Sequence, residues 1–232
     1  MRRLRLSGGA SARQSHAAFT RIGSHRHLAP YATLILAGGY QEAGESGRWH
    51  VEPGMVVVHG SGEAHADWFG DRVTELIDFD VPHDLVAGVY RCSDADAVAK
   101  SVLRGEEWTE STTLAAAPGE TDWPDLLAAA LRGQPALAIG GWAREHALRP
   151  ETVSRGFARA YGVTPAHYRL GIRIKSAVNS LATGNGSLAD VAFDHGFADQ
   201  AHMTRAIKAA VGSTPGKIRR VKSVQESGPE LL

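Results

Sequence analysis

Only one cysteine, Cys92, occurs in the 232 residues. An intramolecular disulfide, a redox pair and a cysteine-based metal cluster are therefore excluded, and a reducing compartment is expected. Long hydrophobic runs are also missing: no stretch approaches the roughly 20 apolar residues of a membrane-spanning helix. The basic N-terminus MRRLRLSGGASARQSH has no apolar segment behind it, so a cytoplasmic protein without a secretory leader is expected. No nucleophile triad and no phosphate-binding glycine loop stand out, and GGYQEAG reads as a turn. Net charge is absent as well, with 25 basic and 25 acidic side chains, but the balance is uneven along the chain. Residues 1–120 hold 11 basic and 16 acidic side chains, whereas residues 121–232 hold 14 and 9. Charge segregated in this way suggests two modules with different partners.

The N-terminal part reads as short strands between glycines. Tyr31 to Ala37 and Met55 to Val58 are apolar runs, the second set off by Pro53-Gly54. In RVTELIDFDV, Val73, Ile77, Phe79 and Val81 share one parity and Asp78 and Asp80 take the other, which predicts a strand with one wet face. Many short strands with glycine between them suggest a sandwich or barrel. Ala95 to Arg104 is a predicted helix, and the polar stretch that follows contains the expected linker, residues 111–121.

The C-terminal part is helical and repeats itself. Gly162-Val-Thr-Pro-Ala-His-Tyr-Arg169 recurs as Gly212-Ser-Thr-Pro-Gly-Lys-Ile-Arg219 at an offset of 50, with Val153, Arg155 and Phe157 mapping onto Met203, Arg205 and Ile207. Each copy reads as a short helix, a tight turn and a second helix: Ile139 to His146 then Pro150 to Tyr161, and Leu188 to Asp194 then Gln200 to Ala210. Thr164-Pro165 and Thr214-Pro215 are start signals, Ser187 with Asp190 forms a capping box, Asp199 is a cap, and Gly184 is expected to end the connecting helix Pro165 to Ala182 in a left-handed conformation. Arg155 and Arg205 stand two residues beyond the buried positions Val153 and Met203, about 200° round the helix, so both are expected to point outward. Residues 135–222 carry 13 basic and 5 acidic side chains, the footprint of a surface that binds a polyanion. Duplex DNA is the expected partner.

Residues 196–219, GFADQAHMTRAIKAAVGSTPGKIR, closely resemble the signature of the AraC/XylS family of bacterial transcription regulators, and residues 150–169, PETVSRGFARAYGVTPAHYR, resemble its first helix-turn-helix. The resemblance implies an all-α DNA-binding domain, residues 122–222, of two helix-turn-helix units joined by a long helix, followed by a tail, 223–232. It also implies that Glu151, Thr152, Ser154 and Arg155 in one recognition helix, and Gln200, Ala201, His202, Thr204 and Arg205 in the other, read bases. Arg169, Arg173, Lys175, Lys208, Lys217 and Arg219 are candidate phosphate contacts. This chain departs from the pattern at Ala147, where a turn glycine is usual, at Arg149, where a capping Ser or Asp is usual, and at Ile207, where phenylalanine is usual. Trp142 beside Gly140-Gly141 reads as packing.

Residues 25–39 and 53–65 resemble the two motifs of a cupin barrel, here the all-β domain 1–110 with a few helices, which in such regulators is an effector-sensing and dimerisation module. In metal-binding cupins the resemblance makes His25, His27 and His65 ligands, together with a glutamate in place of which this chain offers Tyr31, Ala32 and Thr33. Glu63, His50 and His59 are conceivable substitutes. Three imidazoles suit a divalent metal such as zinc, nickel, manganese or iron; the alternative is a histidine-lined pocket for an organic effector. The expectation is a homodimeric, non-enzymatic regulator, an activator rather than a repressor, that contacts DNA, an effector and RNA polymerase. Against it stands a metal-dependent cupin enzyme whose helical half serves assembly.

Overall fold

The structure is a computed structural model and describes residues 12–81, 85–105, 114–184 and 186–226. Its first half holds two antiparallel sheets. One has six strands in the order β1(Ala12–His16), β8(Thr74–Asp80), β3(Tyr31–Ala37), β6(Met55–His59), β9(Gly88–Cys92), β10(Leu114–Ala116). The other has four: β2(Arg21–Arg26), β7(Ala64–Phe69), β4(Tyr40–Gly44), β5(Arg48–Val51). Among the described residues no ladder joins the two sheets, so the expected cupin-like barrel is an open sandwich. Each sheet ends in edge strands instead of closing.

Strand parity explains the layers. Ala32, Leu34, Val56, Val58, Ile77 and Phe79 pack against Val98 and Val102 of α1(Ala95–Leu103) on the outer face of the six-stranded sheet. Their neighbours of opposite parity, Ile35, Met55, Val57 and Leu76, meet Tyr40, Val51 and Phe69 between the sheets. Because both faces are covered, β3 and β6 read as continuous apolar runs. The face of β8 expected to be wet is the inter-sheet face, and Asp78 stands on it. Helix α1 spends its buried valines on its own sheet. Within the expected linker, residues 114–116 form β10, paired with β9; residues 111–113 lie outside the described residues.

The second half is helical: α2(Trp123–Gly133), α3(Ile139–Glu145), α4(Pro150–Tyr161), α5(Pro165–Thr183), α6(Leu188–Asp194), α7(Gln200–Val211) and α8(Pro215–Glu226). Val153, Phe157 and Tyr161 centre one core with Leu127, Leu131 and Trp142. Met203 and Ile207 centre the other with Val191 and Phe197. Helix α5 serves both, through Tyr168 in the first and Ile174 to Leu181 in the second. Ile207 fills its place in the core fully buried, and Trp142 is buried and stacked on His146.

The side chains of Thr164, Ser187 and Asp199 cap α5, α6 and α7 as their positions predict. Gly184 differs: it leaves α5 extended, with φ −107°, and the left-handed C-caps are Gly162 and Gly212. Arg149 provides no side-chain cap for α4. Ala147 is held at φ 54° in the first helix-turn-helix, where the second unit has Gly196 at 71°.

The two halves meet along the free face of the four-stranded sheet. Ala43 belongs to the first helical core, with Trp68 packed against it. Arg48 donates to Asp125 at 2.8 and 3.1 Å, and the Tyr161 hydroxyl donates to the same carboxylate at 2.8 Å. The Tyr168 hydroxyl accepts from Arg132 at 2.8 Å and donates to the Gly44 carbonyl at 3.3 Å.

Candidate functional site

The outward face of the helical half holds most of the expected base-reading residues. On α4, Glu151, Thr152, Ser154 and Arg155 are all exposed. On α7, Gln200, Ala201 and Arg205 are exposed, whereas His202 and Thr204 are half-buried, with His202 Nδ1 accepting from the Ala198 N–H at 3.4 Å. The tight turn before each helix and the apolar pairs Val153/Phe157 and Met203/Ile207 fix which face is outward.

The candidate phosphate contacts divide into two groups. Lys208 and Lys217 are exposed. Arg169 donates to the Leu137 carbonyl at 3.1 Å, Arg219 donates to the Gly186 carbonyl at 2.7 Å, and Arg173 lies against Gly196. Lys175 faces the sheets, with its ammonium 3.4 Å from the buried carboxylate of Glu63.

Between the two sheets lies a cavity of about 320 Å³. Its wall contains His25, His27 and His65, whose nearest ring nitrogens lie within 4.8 Å of one another. His25 and His65 are direct partners across the β2–β7 ladder, and a bulge between Ile22 and His25 shifts the parity of β2. That shift turns Ile22, His25 and His27 into the cavity, and Ser24 and Arg26 toward the helices.

These rings fit a metal. His25 Nδ1 lies 3.0 Å from the Gly23 carbonyl, to which it can only donate, leaving a lone pair on Nε2. His65 Nε2 lies 3.1 Å from the Tyr31 hydroxyl, while its Nδ1 is buried without a partner among the described residues. Burial, and then the charge of His25, lowers the pKa of His27. Burial, and then neighbouring His59, pushes His65 well down. Burial takes His59, stacked on His65, down to about 3. Near neutral pH His27 and His65 therefore offer neutral imidazole.

Of the conceivable substitutes for the missing glutamate, Glu63 is bonded to the Gly60 N–H and paired with Lys175, and His50 is on the surface beside Glu120. The carboxylate that the residue pattern had not singled out is Asp67. It follows His65 by two residues on one strand, so parity alone could have placed it on the same face. Its Oδ2 lies 3.8 Å from His65 Nε2, and its Oδ1 is buried without a partner among the described residues. Burial and the charge of Asp78 raise its pKa to about 7. Asp78 itself accepts from Thr33 at 2.6 Å and Gln14 at 2.5 Å.

Arg26, on the opposite face of β2, is almost wholly buried. Its guanidinium donates to Glu45, to the Gly62 carbonyl, and at 3.3 Å to the Gly171 carbonyl of α5. Strand β2 also runs beside α7. One short strand thus presents histidines to the cavity and an arginine to the helical half.

Residues 142–221 match a family described as a helix-turn-helix domain. The virulence regulon transcriptional activator VirF of Yersinia enterocolitica is 31% identical over 89 residues, covering 36% of this chain and 33% of that protein. The thermoregulatory protein LcrF of Yersinia pestis matches to the same extent. The match thus spans about a third of the length of these relatives. Both are named as regulators. Among solved structures, ToxT of Vibrio cholerae O395 aligns over 92% of this chain and 98% of its own at 10% identity and a TM-score of 0.45. A probable AraC family regulator from Rhodopseudomonas palustris covers 41% of this chain and 93% of its own at 16% identity and a TM-score of 0.39. Residues 142–221 are thus a helix-turn-helix domain, similar in sequence to the matching part of two transcription regulators.

Proposed function

We propose that the chain is a sequence-specific DNA-binding transcription regulator, an activator acting as a homodimer and contacting RNA polymerase, in which the inter-sheet cavity controls the helical half. The observation that carries this reading is the two-faced strand β2. His25 and His27 flank Arg26 in sequence, so an occupant that draws the histidines together also moves the backbone that holds Arg26 against α5. An occupant favouring one arrangement of β2 shifts the population of the arrangement of α5 and α7 that goes with it.

The effector is a metal ion or a small molecule. With His25, His27 and His65 as ligands, a divalent metal keeps an open fourth position. Purified protein then carries about one metal per chain, and His27→Ala lowers both metal content and melting temperature. Metal-free protein that zinc, nickel, manganese and iron all fail to stabilise leaves the cavity to an organic occupant.

The DNA reading is tested by selection from random duplexes with the full chain. Two short blocks about 10 base pairs apart are expected, one for each recognition helix. Recovery of no preferred sequence would count against it.

A further inference from the structure

The cavity's electrostatics point to the class of molecule it takes. Its wall includes Asp67, Asp78 and Asp80 and, among the described residues, no lysine or arginine. An anionic occupant would meet these carboxylates without a lysine or arginine among the described residues to offset them, so a carboxylate or phosphate ligand is disfavoured at this range. Arg26 and Lys175, on the helical side of the four-stranded sheet, are committed to Glu45 and Glu63.

Asp67 is the decisive group. Only 6% exposed, it keeps Oδ1 without a hydrogen-bond donor among the described residues, whereas Asp78 has two. A buried acceptor without a partner is costly, and a ligand that brings a donor removes the cost. Beside it the wall is aromatic. Phe69 stacks on His16 at 4.3 Å and lies 5.0 Å from Tyr40 between ring centres. Such faces attract cations and bury an apolar body. The volume, about 320 Å³, is far beyond the ~30 Å³ share of one water molecule, so an ion alone does not fill it.

We propose that the cavity binds a small organic amine, its ammonium on Asp67 and its apolar body against Phe69 and Tyr40. The proposal rests on the reading of the cavity as the effector site and names the occupant's chemistry.

Three probes of nearly one shape test it: 2-phenylethylamine, 2-phenylethanol and phenylacetate, each added to the full chain and followed by calorimetry and thermal melting. The amine should bind and raise the melting temperature. The alcohol should bind at least about tenfold more weakly and phenylacetate not measurably, since truncating a buried charge pair usually costs more than one decade in affinity. Asp67→Asn should fold, because it removes a buried unpartnered charge at constant volume, yet lose at least about tenfold in amine affinity. Asp78→Asn, on the facing sheet, is the second variant and should weaken the amine less.

Phenylacetate or the alcohol binding as well as the amine would overturn the class while leaving the cavity reading in place. Undiminished amine binding by Asp67→Asn would also overturn it. Failure of all three probes, with stabilisation by a divalent metal, would remove the organic class alone. Failure of probes and metals together would remove the cavity reading with it.

Discussion

Single positions carry energies whose sign depends on local geometry. Ala147, at φ 54°, occupies a region costing about 1–2 kcal/mol for a residue with a Cβ, against about 0.5–1 kcal/mol of extra chain entropy for glycine. Ala147→Gly should therefore stabilise by about 0.5–1 kcal/mol in denaturant melts, and no gain would mean the turn is not strained. Gly171 runs the other way. In an exposed helix interior, glycine to alanine gains about 1 kcal/mol, but here a Cβ would lie 2.6 Å from Glu45 Oε1 and 3.0 Å from Arg26 Nη2. Gly171→Ala should lower stability by about 1–3 kcal/mol, since the surrounding ion pair is packed and has little room to yield. Asp125 supplies a pH test. Burial alone would raise its pKa, but hydrogen bonds from Arg48 and Tyr161 hold it below the usual 3.8. A depressed carboxylate stabilises above its unfolded value and loses that contribution as pH falls through the folded one. The deficit of Asp125→Asn in melting temperature should accordingly shrink below about pH 4; a deficit constant from pH 7 to 3 would show that charge plays no part there.

At the scale of elements, the helices were legible because their signals are local. Thr-Pro starts, the Ser187/Asp190 box and four-residue apolar spacing set α4 to α7 to within a residue or so of the expected ends. Gly184 misled because a glycine after a helix permits a left-handed cap without requiring one. The strands were legible as strands, but not their pairing, which depends on contacts far apart in sequence. Asp78 and Asp80 looked wet because polarity cannot distinguish solvent from a polar cavity, and Asp67 was passed over although its spacing from His65 was in plain view. Arg155 and Arg205 hold equivalent, exposed places on α4 and α7. Arg155→Ala should relax one block of the selected DNA and Arg205→Ala the other, each by roughly 1–3 kcal/mol of discrimination. Arg205 should matter more, since Arg149 gives α4 no cap and Ala147 strains its turn. Uniform weakening with every base preference intact would make both arginines phosphate anchors.

For the whole molecule, charge and connectivity set the behaviour. Binding through many phosphates should weaken steeply between 50 and 200 mM salt, by about three or more decades for some six or more contacts; a flat response would exclude that mode. The Lys175 ammonium is already matched by Glu63, so Glu63→Gln should free it and steepen the salt slope by at most about one unit. An unchanged slope would place Lys175 away from DNA in every state. The position of β2 at the rim of the four-stranded sheet, with imidazoles on one face and Arg26 on the other, has a thermodynamic corollary. If a cavity occupant alters operator affinity by some factor, the operator must alter occupant affinity by the same factor. A fluorescent occupant would then report DNA binding from the opposite side of the sheet, and its titration with and without operator would measure the coupling free energy directly.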